Sequence, residues 1–275
     1  MMRTLSHVQG KGCLAHNNRC FKPKNVDSTR TPDNVIYIQQ DIAEAYRNLF
    51  TDAVEQYNAR QKRNDRKIVN GYFDHLFNHA PCGKVIESPN GQKSFYEDVV
   101  QIGTKDDTGV ASPDAATAKL CLDEYMQGFS MRNPNFYVFN SVLHMDEATP
   151  HLHIDYIPIG HYTRGVPVQN GLAQALREMG YGGGKDAINR WRISERAVQG
   201  YGINHVCSVI PVKGEVITSK AIEDMCKEVA LYVKIQIVMN FLSLGTVSKE
   251  DISKSSGFTL DKVNEIEEQM SSANA

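Results

Sequence analysis

The sequence has few of the features that mark secreted, membrane-spanning or thiolate-metal proteins. Its 275 residues include six cysteines and a single tryptophan, and no two cysteines form a C-x-x-C pair. We therefore expect separate reduced thiols and not a disulfide framework. No apolar run is long enough to cross a bilayer, and the first residues lack the apolar core of a secretion signal. These absences predict a cytoplasmic protein without a membrane span.

An excess of charge of one sign is also missing, since 30 Lys and Arg stand against 32 Asp and Glu. The distribution along the chain is nevertheless uneven. Residues 1–75 hold 12 basic and 8 acidic residues, whereas residues 206–275 hold 7 and 10. A nucleic-acid surface is therefore expected in the basic N-terminal part. Length and pattern together predict one large domain, residues 1–205, and a helical C-terminal region, residues 206–275.

The sequence does contain a group of histidines within one stretch, residues 137–159 (YVFNSVLHMDEATPHLHIDYIPI). Two apolar, β-prone runs flank the polar insert MDEATP, which predicts two antiparallel strands joined by a short loop. Because side chains alternate along a strand, His151 and His153 should share one face. His144 would end the first strand opposite them, and Glu147 would reach in from the loop.

Three imidazoles and one carboxylate at these positions predict a site for a divalent transition metal. Because the set contains no thiolate, a cysteine-rich structural zinc site is not expected; manganese, zinc, nickel and iron(II) all suit the ligands. The alternative is that the histidines are ordinary hydrogen-bonding residues of a sheet. The string HLHID also approaches the HxHxDH signature of metallo-β-lactamase-like hydrolases, but Tyr156 stands where that signature requires histidine.

The pattern along the rest of the chain predicts an α+β fold. We expect a sheet with helices mainly on one face and the metal residues on the other. Besides the hairpin, the predicted elements are strands at 4–9, 34–40 and 94–103 and helices at 42–61 and 115–131.

Near the C-terminus, residues 248–270 predict two helices broken at Gly257, with Ser248 and Thr259 as caps. The second of these helices is acidic, which disfavours DNA recognition. We therefore expect a protein-contact hairpin that could support a homodimer.

Three motifs together resemble those of a known family. They are HMDEATPHLH at 144–153, HNNR at 16–19 and the pattern R-T-x-x-N at 30–34. The combination resembles the MobV-type relaxases, the plasmid mobilisation and recombination (Mob/Pre) enzymes, over roughly residues 3–200. The resemblance implies a histidine-paired relaxase fold, with an antiparallel sheet of about five strands. It further implies a site-specific single-strand endonuclease that nicks plasmid DNA at an origin of transfer. It also implies a divalent metal, with manganese first and magnesium or zinc as alternatives.

The resemblance carries residue roles as well. The metal ligands correspond to His144, Glu147, His151 and His153, and His16 matches the nucleophile that forms a covalent 5′-phosphohistidine. A neutral imidazole needs no base to deprotonate it, unlike a tyrosine of pKa near 10. Tyr37 is the alternative nucleophile, because related relaxases use tyrosine. The candidate phosphate contacts are Arg19, Arg30, Arg63 and Arg66.

Two other functions remain open at this point. One is a metal-dependent phosphodiesterase that activates a water molecule, and the other is a non-catalytic DNA-binding remnant of the family. The long coiled-coil regions that often follow the family's relaxase domain are missing from residues 206–275, which motivates the second alternative. A phosphodiesterase would leave no covalent adduct, and a remnant would bind DNA with a marked salt dependence but would not cut it.

Overall fold

The computed structural model describes residues 3–78, 83–203, 209–211, 238–239, 242 and 248–273. The chain divides into two compact units, Met1–Val212 and Lys213–Ala275. In chain order, the helices and strands of the first unit are β1 (Arg3–Gln9), α1 (Leu14–Asn17), β2 (Val35–Gln39), α2 (Ile42–Ala59), α3 (Tyr72–Phe77), β3 (Tyr96–Ile102), α4 (Ala115–Gln127), α5 (Phe129–Arg132), β4 (Phe136–His144), β5 (His151–His161), β6 (Val168–Asn170), α6 (Leu172–Glu178), α7 (Ala187–Ile203) and β7 (Val209–Pro211).

Five strands form an antiparallel sheet in the order β2-β4-β5-β3-β1. The short strand β7 extends it in parallel beside β1, and β6 pairs with the end of β5. The two hairpin strands, β4 and β5, lie in the middle of this order, and their residues are almost all buried because both sheet faces are covered there. The predicted α+β fold with an antiparallel sheet is confirmed.

Helices α4, α5, α6 and α7 pack on one face of the sheet. Their apolar side chains meet Leu152, Ile154 and Tyr156 of β5 in the larger hydrophobic cluster. Trp191 of α7 is fully buried there and donates its indole N–H to Asn133 Oδ1 at 2.6 Å. Each large side chain buried in this way contributes roughly 1.5–3 kcal/mol to stability. This core supports the hairpin from behind, on the face opposite the histidines.

Helices α2 and α3 pack on the other face, which is the face of His151 and His153. Their cluster contains Phe139 and Ile157, at the far end of the hairpin. Ile157 lies six positions along β5 from His151, or about 20 Å. Helices therefore cover both faces of the sheet. On the face of the histidines, α2 and α3 cover the end near Ile157, and α1 and its neighbouring loops cover the end near His151.

In the second unit, the described helices are Lys249–Ser256 and Leu260–Ala273. The Ser248 side chain caps the first helix, and Gly257, with φ of +70°, ends it in the left-handed conformation. Ile252, Val263 and Ile266 are buried in one small apolar cluster. The break at Gly257 is as predicted; dimerisation through this hairpin stays a prediction.

The boundary between the units falls at 212/213, later than the predicted 205/206, because β7 pairs with β1 and so belongs to the first unit. Among the described residues, no helix has both the length and the apolar content needed to span a bilayer.

Candidate metal centre

The β4–β5 hairpin brings the three histidines of the predicted site together. Its register pairs His144 with His151, and His153 follows on the same face. The ring centroids lie 5.1 Å apart for His144 and His151, 4.7 Å for His144 and His153, and 4.9 Å for His151 and His153. All three side chains are buried. The alternation argument therefore placed these rings on one face correctly.

Each ring has one nitrogen held by an outer partner. His144 Nε2 lies 2.8 Å from the Asn17 carbonyl oxygen, and His151 Nδ1 lies 2.8 Å from the Thr149 carbonyl oxygen. His153 Nδ1 lies 2.6 Å from Glu97 Oε1. The other three ring nitrogens are left for the centre of the cluster.

The buried rings belong to two overlapping groups that fit a bound metal ion, one of His144, Glu147 and His151 and one of His16, His144 and His153; in each group the ligand atoms lie within 4.8 Å of one another. His144 Nδ1 and His151 Nε2 are 3.3 Å apart, and His153 Nε2 is buried with no hydrogen-bond partner among the described residues. Metal-binding histidines commonly donate their outer N–H to a carbonyl or carboxylate, which fixes the ring. The donor set and its outer partners therefore match a divalent transition metal.

Burial also favours the protonation state that binds a metal. Burial, together with the neighbouring His153 and His151 rings, lowers the pKa of His144 to about 2. Burial and the His153 ring likewise lower the pKa of His151 to about 4. Both rings are therefore neutral at physiological pH, and a neutral imidazole is the form that acts as a metal ligand.

His16 stands beside this cluster on α1. Its ring centroid is 6.1 Å from that of His144 and 6.0 Å from that of His153. Its Nε2 lies 3.3 Å from Glu147 Oε1, whereas that oxygen is 3.9 Å from His144 Nδ1 and 4.0 Å from His151 Nε2. Glu147 is thus closer to His16 than to the inner histidine nitrogens. Partial burial lowers the pKa of His16 below its usual value, although the Glu147 charge opposes this.

Arg19 braces the loop that carries Glu147. Its Nη2 lies 2.6 Å from Asp146 Oδ1 and 2.9 Å from Glu147 Oε1, and its Nη1 donates to the His16 carbonyl oxygen at 2.9 Å. Arg19 was predicted as a phosphate contact, but its guanidinium is already engaged by two carboxylates. The sequence could not show this, because Asp146 and Glu147 are more than a hundred positions away.

A comparison with protein families matches the model for plasmid recombination enzymes (Mob_Pre) to residues 19–166. That is more than half of the 275-residue chain. The chain belongs to the plasmid recombination enzyme family. The match includes the whole histidine hairpin, and His16 lies three positions before its start. The family expected from the motifs is confirmed, and with it the enzyme class.

Solved structures of the MobM relaxase domain are also similar to this plasmid recombination enzyme. One, described as bound to pMV158 oriT DNA (22 nt) and Mn at pH 5.5, has 14% identity and a TM-score of 0.42 and covers 81% of this chain and 99% of its own. A second, bound to the same DNA with a 3′-thiophosphate and to Mn at pH 6.8, has 14% identity and a TM-score of 0.41. It covers 81% of this chain and 98% of its own. Likeness at this level adds nothing to the family assignment. A search of curated proteins found no match.

Tyr37 of this plasmid recombination enzyme lies on the sheet face opposite the histidines. Its hydroxyl donates to Asp123 Oδ1 of α4 at 2.8 Å, and its ring packs against the larger hydrophobic cluster. Burial and the Asp123 carboxylate raise the pKa of Tyr37 far above its usual value. The structure therefore does not bring the alternative nucleophile to the candidate centre.

The remaining predicted phosphate contacts are divided: Arg30 lies beside the hairpin loop, whereas Arg63 and Arg66 lie away from it. Arg30 Nη2 donates to the Val110 carbonyl oxygen at 2.6 Å, and the Val110 N–H donates to the carbonyl oxygen of Ala148 in that loop at 3.2 Å. Arg63 pairs with Asp65 on the surface. Arg60 directly follows α2 and donates to the carbonyl oxygen of Gly165, beyond the far end of β5. Arg63 and Arg66 come three and six positions after Arg60. The far end of β5 is about 30 Å from His151 along the strand. Only an extended DNA strand could reach both places.

Sequence reasoning missed the buried polar residues behind the centre. Glu97 of β3 accepts hydrogen bonds from Gly12 N, Asn17 Nδ2 and His153 Nδ1. Although burial disfavours its charge, the bonds from His153, Gly12 and Asn17 keep the pKa of Glu97 below its usual value. Burial and the Glu97 charge raise the pKa of Asp155 to about 8. A glutamate within an apolar strand, such as Glu97 in β3, does indicate a buried polar partner. Which residue is that partner depends on which strand lies beside β3, and the sequence does not show this.

Proposed function

We propose that this enzyme is a metal-dependent relaxase that nicks one strand of plasmid DNA at an origin of transfer and joins its 5′ end to His16. The observation that carries the proposal is the position of His16, whose ring centroid lies about 6 Å from those of His144 and His153, two of the three buried histidines. Membership of the plasmid recombination enzymes supports the plasmid as the substrate.

The residues that would hold the metal are His144, His151 and His153. Glu147 would either be a fourth metal ligand or accept a hydrogen bond from His16. Imidazole and carboxylate donors suit manganese, which we propose first, and zinc. When bound, the metal supplies Lewis-acid stabilisation of charge on the non-bridging oxygens of the scissile phosphate.

His16 is neutral near physiological pH, because burial lowers its pKa. We propose that the ring nitrogen with the free lone pair attacks phosphorus. A phosphorus–nitrogen bond forms, the bond to the 3′ oxygen breaks, and that oxygen takes up a proton from water. The phosphoramidate left on the 5′ end retains the energy for rejoining. Glu147 orients the ring, and Arg19 holds both Glu147 and the His16 backbone in place.

Replacement of His16 tests the reaction. Supercoiled plasmid carrying the cognate origin, incubated with the purified protein and Mn²⁺, should give nicked circles with protein attached to the 5′ end. His16→Ala should abolish the adduct, because the other three imidazoles of the centre, His144, His151 and His153, are assigned to the metal. Tyr37→Phe is the matched control and should keep both nicking and adduct, since Tyr37 lies on the other sheet face. Full nicking by His16→Ala, or loss of the adduct in Tyr37→Phe, would contradict the assignment.

A water-activating phosphodiesterase is the second candidate. The ligand atoms of His16, His144 and His153 all lie within 4.8 Å of one another, so His16 could itself be a metal ligand. Water would then attack phosphorus, and no covalent adduct would form at any time point. Origin binding without cleavage under any metal would instead indicate a DNA-binding remnant.

A further inference from the structure

The helix that carries His16 cannot hold its own position. α1 has only four residues and no side-chain hydrogen bond at its N-cap. One helical turn is unstable in water without tertiary contacts, because nucleation costs more than one turn of hydrogen bonds returns. The placement of His16 therefore depends on what α1 touches.

Asn17, the residue after His16, is the buried residue of α1 and makes its side-chain hydrogen bonds to the sheet. It is 1% exposed, and its Nδ2 donates to Glu97 Oε1 at 2.8 Å and to Asp155 Oδ2 at 3.0 Å. Its carbonyl oxygen lies 2.8 Å from His144 Nε2. Since Glu97 also holds His153 Nδ1, the Asn17 contacts lead to two of the three inner histidines.

We propose that Asn17 is a positioning residue that couples metal binding to the placement of His16; this rests on the proposed function. The His144 and His153 rings become fixed when their inner nitrogens bind a metal. The fixed His144 ring then holds the Asn17 carbonyl, and the fixed His153 ring holds Glu97, which in turn binds the Asn17 side chain. Both contacts hold α1 against the sheet. By linkage, a well-placed α1 favours metal binding to the same degree. The nucleophile is therefore ordered by the same event that completes the site.

Hydrogen exchange measures this coupling directly. In the full-length protein, Mn²⁺ should slow backbone amide exchange in peptides that cover residues 13–20. In Asn17→Ala, Mn²⁺ should still bind, about 10-fold more weakly or less, but should protect these amides much less, because only the backbone contact of residue 17 with His144 remains. The kcat for nicking should fall about 10- to 100-fold while the KM for DNA stays unchanged, because a misplaced nucleophile slows the chemical step and leaves ground-state binding intact.

Asn140→Ala is the matched control. Asn140 is equally buried and donates to the same oxygen, Asp155 Oδ2, at 2.8 Å, but it comes from β4, and its side chain donates to Asp155 without a hydrogen bond to α1 among the described residues. This variant should keep the Mn²⁺-dependent protection of residues 13–20. Should Asn17→Ala fail to fold, as judged by Trp191 fluorescence, Asn17→Ser is measured in its place, because it keeps a small polar side chain.

Wild-type protection and wild-type kcat in the Asn17 variant would overturn the coupling, as would the absence of any Mn²⁺-dependent protection in the wild-type protein. If the wild-type protein shows the protection but never forms an adduct with DNA, the coupling stands and the proposed relaxase reaction fails. The two proposals are thus separated by one set of samples.

Discussion

At the scale of single residues, the chemistry of the centre depends on which groups hold the outer nitrogens of the histidines. Two of these groups are backbone carbonyl oxygens, which no substitution removes directly. The third is Glu97, which is 3% exposed and keeps its charge because His153, Gly12 and Asn17 donate to it. A buried carboxylate facing a metal-binding histidine increases the basicity of the inner nitrogen.

Replacing this carboxylate should weaken the metal site without removing a metal ligand. Glu97→Gln should lower Mn²⁺ affinity about 10- to 100-fold, because the amide neither carries the charge nor fixes the tautomer of His153. Titration calorimetry measures the affinity. Glu178→Gln is the matched control, since Glu178 pairs with the exposed His161 outside the centre. Equal affinities for Glu97→Gln and wild type would show that Glu97 has no role in metal binding.

At the scale of secondary-structure elements, β5 serves three purposes along its length. Its first residues carry the histidines, its alternate residues fill the main core, and its last residues meet α6. The contact with α6 is made by Glu178, whose carboxylate accepts hydrogen bonds from the His161 backbone N–H, the His161 ring, Asn135 and Gln174. Burial opposes ionisation, but the His161 bonds and the Gln174 bond lower the pKa of Glu178 below its usual value.

This contact predicts an acid-dependent loss of stability. Because the folded-state pKa is depressed, the contribution of Glu178 is present above its unfolded pKa of about 4.3 and is lost as the pH falls through the folded pKa. At neutral pH, Glu178→Gln should lower the free energy of unfolding by about 1 kcal/mol. Urea unfolding of both proteins between neutral pH and about pH 3 should show this difference shrinking at the acid end. A difference that is independent of pH would contradict the assignment.

At the scale of the whole molecule, every residue of the candidate centre belongs to the first of the two compact units. The only tryptophan, Trp191, also lies in this unit and is fully buried. Its fluorescence therefore reports unfolding of the unit that would bind the metal. Trp191 fluorescence therefore follows the thermal unfolding of the first unit without a contribution from the second unit.

Metal binding should consequently stabilise what Trp191 reports. At a free Mn²⁺ concentration 100 times the dissociation constant, the free energy of unfolding should rise by about 2.7 kcal/mol and the midpoint by roughly 5–10 °C. His151→Ala should lose most of this rise, because it removes one inner nitrogen. His161→Ala should keep it, since His161 is exposed and outside the centre. An unchanged midpoint on adding Mn²⁺ to wild type would count against a metal site.

The sequence by itself determined the local parts of this protein. Alternation along the hairpin placed His151 and His153 on one face, the polar insert predicted the turn, and the cap residues predicted the break at Gly257. These features depend on neighbours within a few positions, so periodicity and turn chemistry suffice to predict them. The motif string, with its histidines and proline at fixed spacing, indicated the family in the same way.

Only the tertiary structure decided which distant groups meet. The β2–β4 register pairs Val35 with Leu143, which turns Tyr37 toward α4 and away from the histidines. The position of β3 beside β5 brings Glu97 to His153. Arg19 meets Asp146 for a similar reason, across two separate loops. The order of the strands, and the register between strands that are distant in the sequence, depend on the packing of the whole sheet and not on local sequence patterns.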